Sequence, residues 1–220
     1  MRKGSVLVTG GAKRIGCAIC DALAVRGWRV LVHSRTSAGG LGADFADPAA
    51  PGRLFAAACA QAPDLVAIVN NAAVFATAAV LSEADAARMR QINVVAPCEL
   101  TARLGAHLRA VNGRGAVVNL LDDRIFRAAT VTTPYVETKR ALWDATRAAA
   151  VREAPVLRVN AVAPGPVLLP ADGAAHEKGG PVLLDRRPAP EDVAAAVAFL
   201  LEAPSVTGQV LAVDAGQSLL

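Results

Sequence analysis

One repeated pattern constrains this chain more than any other feature: short β-rich apolar runs alternate with longer stretches whose apolar residues recur every three or four positions. Residues 5–9 (SVLVT) are stopped by Gly10 and Gly11, and residues 13–26 then place Ile15, Ala18, Ile19, Ala22 and Leu23 on one helical face. Further strands are predicted over 29–33, 65–70, 116–121, 157–162 and 209–213, with helices over 52–61, from 82 to about 110, over 134–153 and over 190–202. Pro190 opens the last helix with Glu191 and Asp192 in its first turn, where orphan amides and the helix dipole favour them. Such alternation implies a parallel sheet covered by helices on both faces, a single Rossmann-type doubly wound α/β domain. One stretch breaks the rhythm. Between Arg35 and a candidate strand around 43–45 lies only TSAGGLG, too short for a helical crossover, so a bare loop and a short or irregular strand are expected there.

The composition, 54% hydrophobic and 19% charged over 220 residues, suits one sizeable core. The net charge of +4 comes from arginines spread along the chain without a basic run, so nucleic-acid binding is not expected. The apolar run before Thr9 is too short for a signal-peptide core, and no segment approaches the roughly 18 apolar residues of a membrane helix. A cytoplasmic protein is the expectation. Cys17, Cys20, Cys59 and Cys98 lack metal-ligand spacing and read as buried, reduced thiols, with a redox CxxC at Cys17 and Cys20 as the alternative. His33, His107 and His176 have no ligand spacing either, and no metal is implied.

Chemistry gathers at the predicted carboxyl ends of the strands, where ligands bind in open parallel sheets. TGGAKRIG (9–16) joins the first strand to the first helix, where backbone amides and the helix dipole can hold a pyrophosphate. Asn70 to Ala73 (NNAA) end another strand; Asn119, Asp122 and Asp123 end the next. Tyr135 and Lys139 share a helix face four residues apart. His33, Ser34, Arg35 and Thr36 follow the second strand, from which Arg35 can reach an adenosine 2′-phosphate, with Arg14 nearby and no acid there to bind a free ribose diol.

These pieces in order, with Asn93, GAVVNLLD, YVETK, RVNAVAPGPV and the closing SVTGQVLAVDAG, resemble the short-chain dehydrogenase/reductase family along nearly the whole chain. The resemblance implies an NADP(H)-dependent enzyme acting on a small molecule, with Tyr135 as proton donor. Lys139 would hold the cofactor ribose and lower the Tyr pKa, and Asn93 would support a proton-relay water. Gly10, Lys13, Arg14, Ile15 and Gly16 would form the cofactor turn, Asp44 and Phe45 flank the adenine, Asn71, Ala72 and Ala73 line the cleft, and Pro164, Gly165 and Val167 meet the nicotinamide end. A homotetramer or dimer built on the helices around 93–110 and 135–153 is implied in the same way. Lowering a tyrosine from about 10 toward 7 takes about 4 kcal/mol of preferential stabilisation of the phenolate, which a nearby ammonium and an oxidised nicotinamide can supply.

Two departures narrow the subgroup. Arg14 stands where most relatives have glycine, and Asp122, thirteen residues before Tyr135, where most have serine. With Phe75 after the NNA segment, these resemble the pteridine reductases of the family, in which the aromatic stacks on the substrate while Asp and Tyr serve proton transfer to ring nitrogens. The competing readings are Phe75 as a core aromatic and Asp122 as a strand-end acceptor, and Ala73 and Val74 offer no hydroxyl where pterin-active relatives often carry serine. The resulting expectation is an NADPH-dependent reductase of a pteridine-like ring. The alternatives are a general ketone or aldehyde reductase and a non-catalytic NADP(H)-binding interaction protein, the latter disfavoured by Asn93, Tyr135 and Lys139.

Overall fold

A computed structural model describes residues 3–36, 40–76, 80–127, 133–167 and 181–220. In chain order the elements are β1 (Ser5–Val8), α1 (Arg14–Val25), β2 (Arg29–Ser34), β3 (Leu41–Gly42), α2 (Ala50–Gln61), β4 (Leu65–Asn70), α3 (Glu83–Arg90), α4 (Ala96–Ala110), β5 (Gly115–Leu120), α5 (Pro134–Glu153), β6 (Leu157–Pro164), α6 (Pro190–Glu202) and β7 (Val210–Val213). All strands pair in parallel in the order β3-β2-β1-β4-β5-β6-β7. No described helix is long and apolar enough to cross a membrane.

The period-2 alternation of the strands divides the core in two. Leu7, Leu31, Ile68, Val117 and Val159 pack beneath α2, α4 and α5, where Leu100, Leu104 and Leu108 form a fully buried stripe along α4. Val6, Val8, Ala67, Val69, Val118 and Val162 face the other way, against Ile19 and Leu23 of α1 and Val193, Val197 and Leu200 of α6. At α6 the Asp192 carboxylate accepts from the Ala189 amide at 2.8 Å, the contact its first-turn position suggested.

Two elements differ from the sequence expectation. The strand expected around 43–45 is instead a two-residue β3 at Leu41–Gly42. Its ladder stops because the Ala43 carbonyl is taken by His33 Nε2 at 2.9 Å, and the Asp44 carboxylate then turns the chain by accepting from Ala46 N at 3.0 Å. The second difference is a π-helical turn, Gln91–Val95, that divides α3 from α4. Pro97 has no N–H for the carbonyl of Asn93 four residues earlier, and its ring crowds that carbonyl, so the helix widens there. The expected compact lid between Pro166 and Pro188 falls largely outside the described residues, as does His176.

Candidate active site

The strand order reverses between β1 and β4, so the turn after β1 and the loop after β4 face each other across a crevice. Gly10 has φ +62°, and a Cβ on Gly16 would lie 2.1 Å from the Gly10 carbonyl oxygen, so the turn closes only with glycine at both places. Thr9 ties it to the opposite loop: its Oγ1 accepts from the amides of Asn71 (2.9 Å) and Ala72 (3.0 Å), and the Asn71 amide donates to the Thr9 and Gly10 carbonyls at 2.9 and 3.0 Å. Helix α1 starts with no side-chain cap and no acid in its first turn, whereas α3 has the Ser82 cap and both Glu83 and Asp85. That leaves the positive end of α1 to an anion, and the turn fits a dinucleotide pyrophosphate. Arg14, the first residue of α1, holds φ +55°, a left-handed conformation that glycine would adopt without strain.

From this turn a cavity of about 610 Å³ runs toward the β2 end of the sheet, large enough for a mononucleotide half. Gly10, Lys13, Arg14, Ile15 and Gly16 line it on one side, His33, Ser34, Arg35, Asp44 and Phe45 at the far end, and Asn71, Ala72 and Ala73 opposite. Every one of these was expected from the sequence; Ala12, Thr36, Ala43, Val74, Arg88 and Ile92 complete the walls. His33 is a buried strand residue. Its Nδ1 accepts from Gly10 N at 3.2 Å, so the proton is on Nε2, which donates to Ala43, and its ring stacks on Phe45 at 4.7 Å. Burial lowers its pKa.

The second group of expected residues lies beyond β4 and β5. Phe75 and Tyr135 meet edge to face, with centroids 4.8 Å apart at 80°. Phe75 is 51% exposed, so the core-aromatic reading is excluded. The Asp122 carboxylate is near enough to the Tyr135 phenol to oppose its ionisation, and it accepts from Arg124 Nε at 2.8 Å and Nη2 at 2.9 Å. Lys139 is buried and donates to the Leu120 carbonyl at 2.7 Å, with its Nζ 5.6 Å from the Tyr135 ring centre. Asn93, in the π turn, holds the Val74 backbone from both sides, accepting from its N–H and donating to its C=O, each at 2.9 Å, and donates to Thr138 Oγ1 at 3.1 Å. Pro164, Gly165 and Val167 lie at the carboxyl end of β6 and do not line the cavity; Val167 packs against the α1–α6 core.

The acidity expected of Tyr135 turns on the bound cofactor; in the protein alone the phenol is a weaker acid than free tyrosine, first because it is buried and then because the Asp122 carboxylate opposes its ionisation, while Arg124 pulls the other way. Burial also moves Lys139, from 10.5 down to about 8. Asn93, expected to support a relay water, engages both its amide hydrogens with protein acceptors. Cys17 is exposed where a buried thiol was expected, whereas Cys20 is buried and pushed up to about 12. Sequence reasoning missed Arg124, Thr9 and Thr138. The Asp-x-Arg spacing at Asp122 was the available signal for the first of these.

Comparison with known proteins agrees with this geometry. The family model described as Enoyl-(Acyl carrier protein) reductase matches residues 10–218. The FolM alternative dihydrofolate reductase 1 of Brucella canis, solved in complex with NADP, is 33% identical, with a TM-score of 0.86 over 99% of this chain and 95% of that one. The dihydromonapterin reductase of Citrobacter koseri is 31% identical over 97% of this chain and 96% of its own length. The galactitol 2-dehydrogenase (L-tagatose-forming) of Cereibacter sphaeroides is 33% identical over 96% and 94%. The chain therefore belongs to the short-chain dehydrogenase/reductase family of oxidoreductases.

Proposed function

We propose that this protein is an NADP(H)-dependent reductase of a pteridine-like ring. The observation that carries the reading is the exposed Phe75 face beside Tyr135, with the Asp122 carboxylate near enough to oppose ionisation of the phenol. A flat heterocycle can stack on Phe75 and present ring N–H groups to Asp122, while an aliphatic carbonyl uses neither. Arg35, Arg14 and Lys13, in one cavity with Ser34 and Thr36, suit a 2′-phosphate. When bound, the nicotinamide supplies the hydride. Tyr135 gives the proton to the substrate, Asp122 orients the phenol and accepts from the substrate ring, and Lys139 is placed to hold the ribose. A positioned acid of this kind is worth about 10² to 10⁴ in rate.

A second reading, a ketone or sugar-alcohol oxidoreductase, is favoured by the likeness to galactitol 2-dehydrogenase and by the absence of a hydroxyl at Ala73 and Val74. NADPH oxidation by the purified protein against a panel of dihydropterins and simple carbonyls separates the two. Turnover of a dihydropterin that Phe75→Ala and Asp122→Ala each reduce by at least about 10-fold is expected; activity on carbonyls alone supports the second reading.

The same reading carries a cytoplasmic address, consistent with four free cysteines, and a homo-oligomer, dimer or tetramer, built on α4 and α5. Light scattering on the purified protein tests the latter.

A further inference from the structure

Residue 124 has no part in the assignments above, yet its guanidinium is the point where the elements of the site converge. It makes two parallel bonds to Asp122, and the same Asp122 Oδ1 accepts from the Arg124 backbone N–H at 3.1 Å, so the turn Asp123–Phe126 folds around this pair. Its central carbon stands 5.3 Å from the ring centre of Phe75, which comes from the loop after β4, and 5.3 Å from that of Tyr135, which comes from α5. The two rings are perpendicular, and the guanidinium occupies the corner between them. A local Asp–Arg pair two residues apart needs neither ring. Only a planar, delocalised cation can make a forked bond to a carboxylate and also lie against aromatic faces; a lysine ammonium can do neither with the same geometry.

We propose that Arg124 is the positioning residue of this active site, the side chain that presents Asp122 to Tyr135 and sets the angle between Phe75 and Tyr135 at which a planar substrate enters. The proposal rests on the reading of Tyr135 as proton donor, and not on the substrate being a pteridine.

Its electrostatic consequence has a sign that simple bracing lacks. The charged groups facing the Tyr135 phenol are Asp122, Asp123 and Arg124 from the segment after β5 and Lys139 from its own helix; α3 and the loop after β4 contribute apolar Met89 and Val74 and the ring of Phe75. Asp122 makes the phenol harder to ionise and Arg124 makes it easier. Removing Arg124 leaves the carboxylate uncompensated, weakens the acid and moves the alkaline limb of the pH–rate profile up. Removing the Asp122 charge moves it down.

Tyr135 is the only tyrosine of the chain, so ring-labelled tyrosine gives one NMR signal whose position and titration report on this phenol without any turnover. The experiment compares Arg124→Met, Arg124→Lys, Asp122→Asn and Asp122→Asn/Arg124→Met by alkaline NMR titration, by NADPH affinity, and by kcat and KM against pH with a dihydropterin and with a carbonyl. For Arg124→Met we expect a displaced Tyr135 signal, ionisation only at higher pH, kcat lower by at least about 10-fold, KM for the flat substrate raised, and NADPH affinity within about 2-fold of the parent. Asp122→Asn should titrate at lower pH than the parent and the double variant in between. Arg124→Lys should recover the titration but not the KM. An unmoved Tyr135 signal in Arg124→Met, a titration displaced in the same direction as in Asp122→Asn, or a loss of NADPH binding equal to the loss of kcat would each overturn the proposal. Failure on pterins with activity on carbonyls would sink the pteridine reading, and the titration would still decide the role of Arg124.

Discussion

The buried ammonium of Lys139 carries a stability cost that can be measured. It donates to the Leu120 carbonyl, and burial lowers its pKa from 10.5 to about 8, partly offset by Asp122. A lysine lowered to that extent disfavours the charged folded state by about 3 kcal/mol below pH 8. Because the unfolded chain binds the proton more tightly, stability rises with pH between about 8 and 10.5, by about 1.4 kcal/mol per pH unit, and the cost is gone above that window. Lys139→Met keeps the length of the side chain and removes the charge. The carbonyl it abandons costs about 1 kcal/mol, so the cofactor-free variant should be more stable at pH 7 by about 2 kcal/mol, or roughly 4–8 °C in Tm for a domain of this size. Turnover should nevertheless fall by at least about 10². Urea unfolding of both proteins from pH 7 to 10.5 is the assay. A variant less stable than the parent at pH 7, or an advantage that does not shrink through the window, would refute the reasoning.

Other outcomes follow from the same site. Tyr135→Phe should lower kcat by at least about 10² and leave NADPH affinity nearly unchanged, as single-turnover kinetics and fluorescence titration will report. Arg35→Ala should erode a preference for NADPH over NADH in kcat/KM, and equal use of both cofactors by the parent would count against the phosphate assignment. Arg14→Gly relieves a left-handed residue, so thermal unfolding should show a gain of about 1 kcal/mol while calorimetry shows weaker NADPH binding. His33 is held neutral by burial, so stability present above its unfolded value of 6.5 is lost as pH falls below it; His33→Gln, which can still accept from Gly10, should flatten that acid limb in unfolding experiments.

Much of the fold was legible because the signals were local. Pro134 and Pro190 mark the starts of α5 and α6 where the structure has them, residues of the TGGAKRIG turn line one cavity, and Lys139 stands beside the Tyr135 ring one helical turn away. The strand ladders were legible for the same reason, since alternation decides which face each residue covers. What escaped depends on contacts between distant segments. β3 ends where it does because His33 takes the Ala43 carbonyl, which no reading of residues 36–45 reveals. The π turn is the exception, a local effect of Pro97 on the carbonyl four residues earlier, masked by a stretch that otherwise reads as helix. The weak acidity of Tyr135 in the protein alone was not legible because burial and the nearness of the Asp122 carboxylate are tertiary facts. Arg124 looked like one more dispersed arginine until three segments met around it.

The Asn93 clamp on Val74 and Thr138 makes the loop after β4 and the start of α5 a single mechanical unit. Phe75 is the next residue along that loop, and Tyr135 lies one helical turn before Thr138, its carbonyl accepting from the Thr138 hydroxyl at 2.7 Å. The gap into which a ring must slide is therefore ruled by backbone, like the jaws of a fixed gauge, and its ordering entropy is met when the chain folds and not when a ligand arrives. A molecule of the right thickness then binds with little reorganisation, and a thicker or puckered one is refused by a wall that does not give way. Asn93 thus fixes the spacing of the two backbones that carry the rings, and leaves the angle between the rings to Arg124.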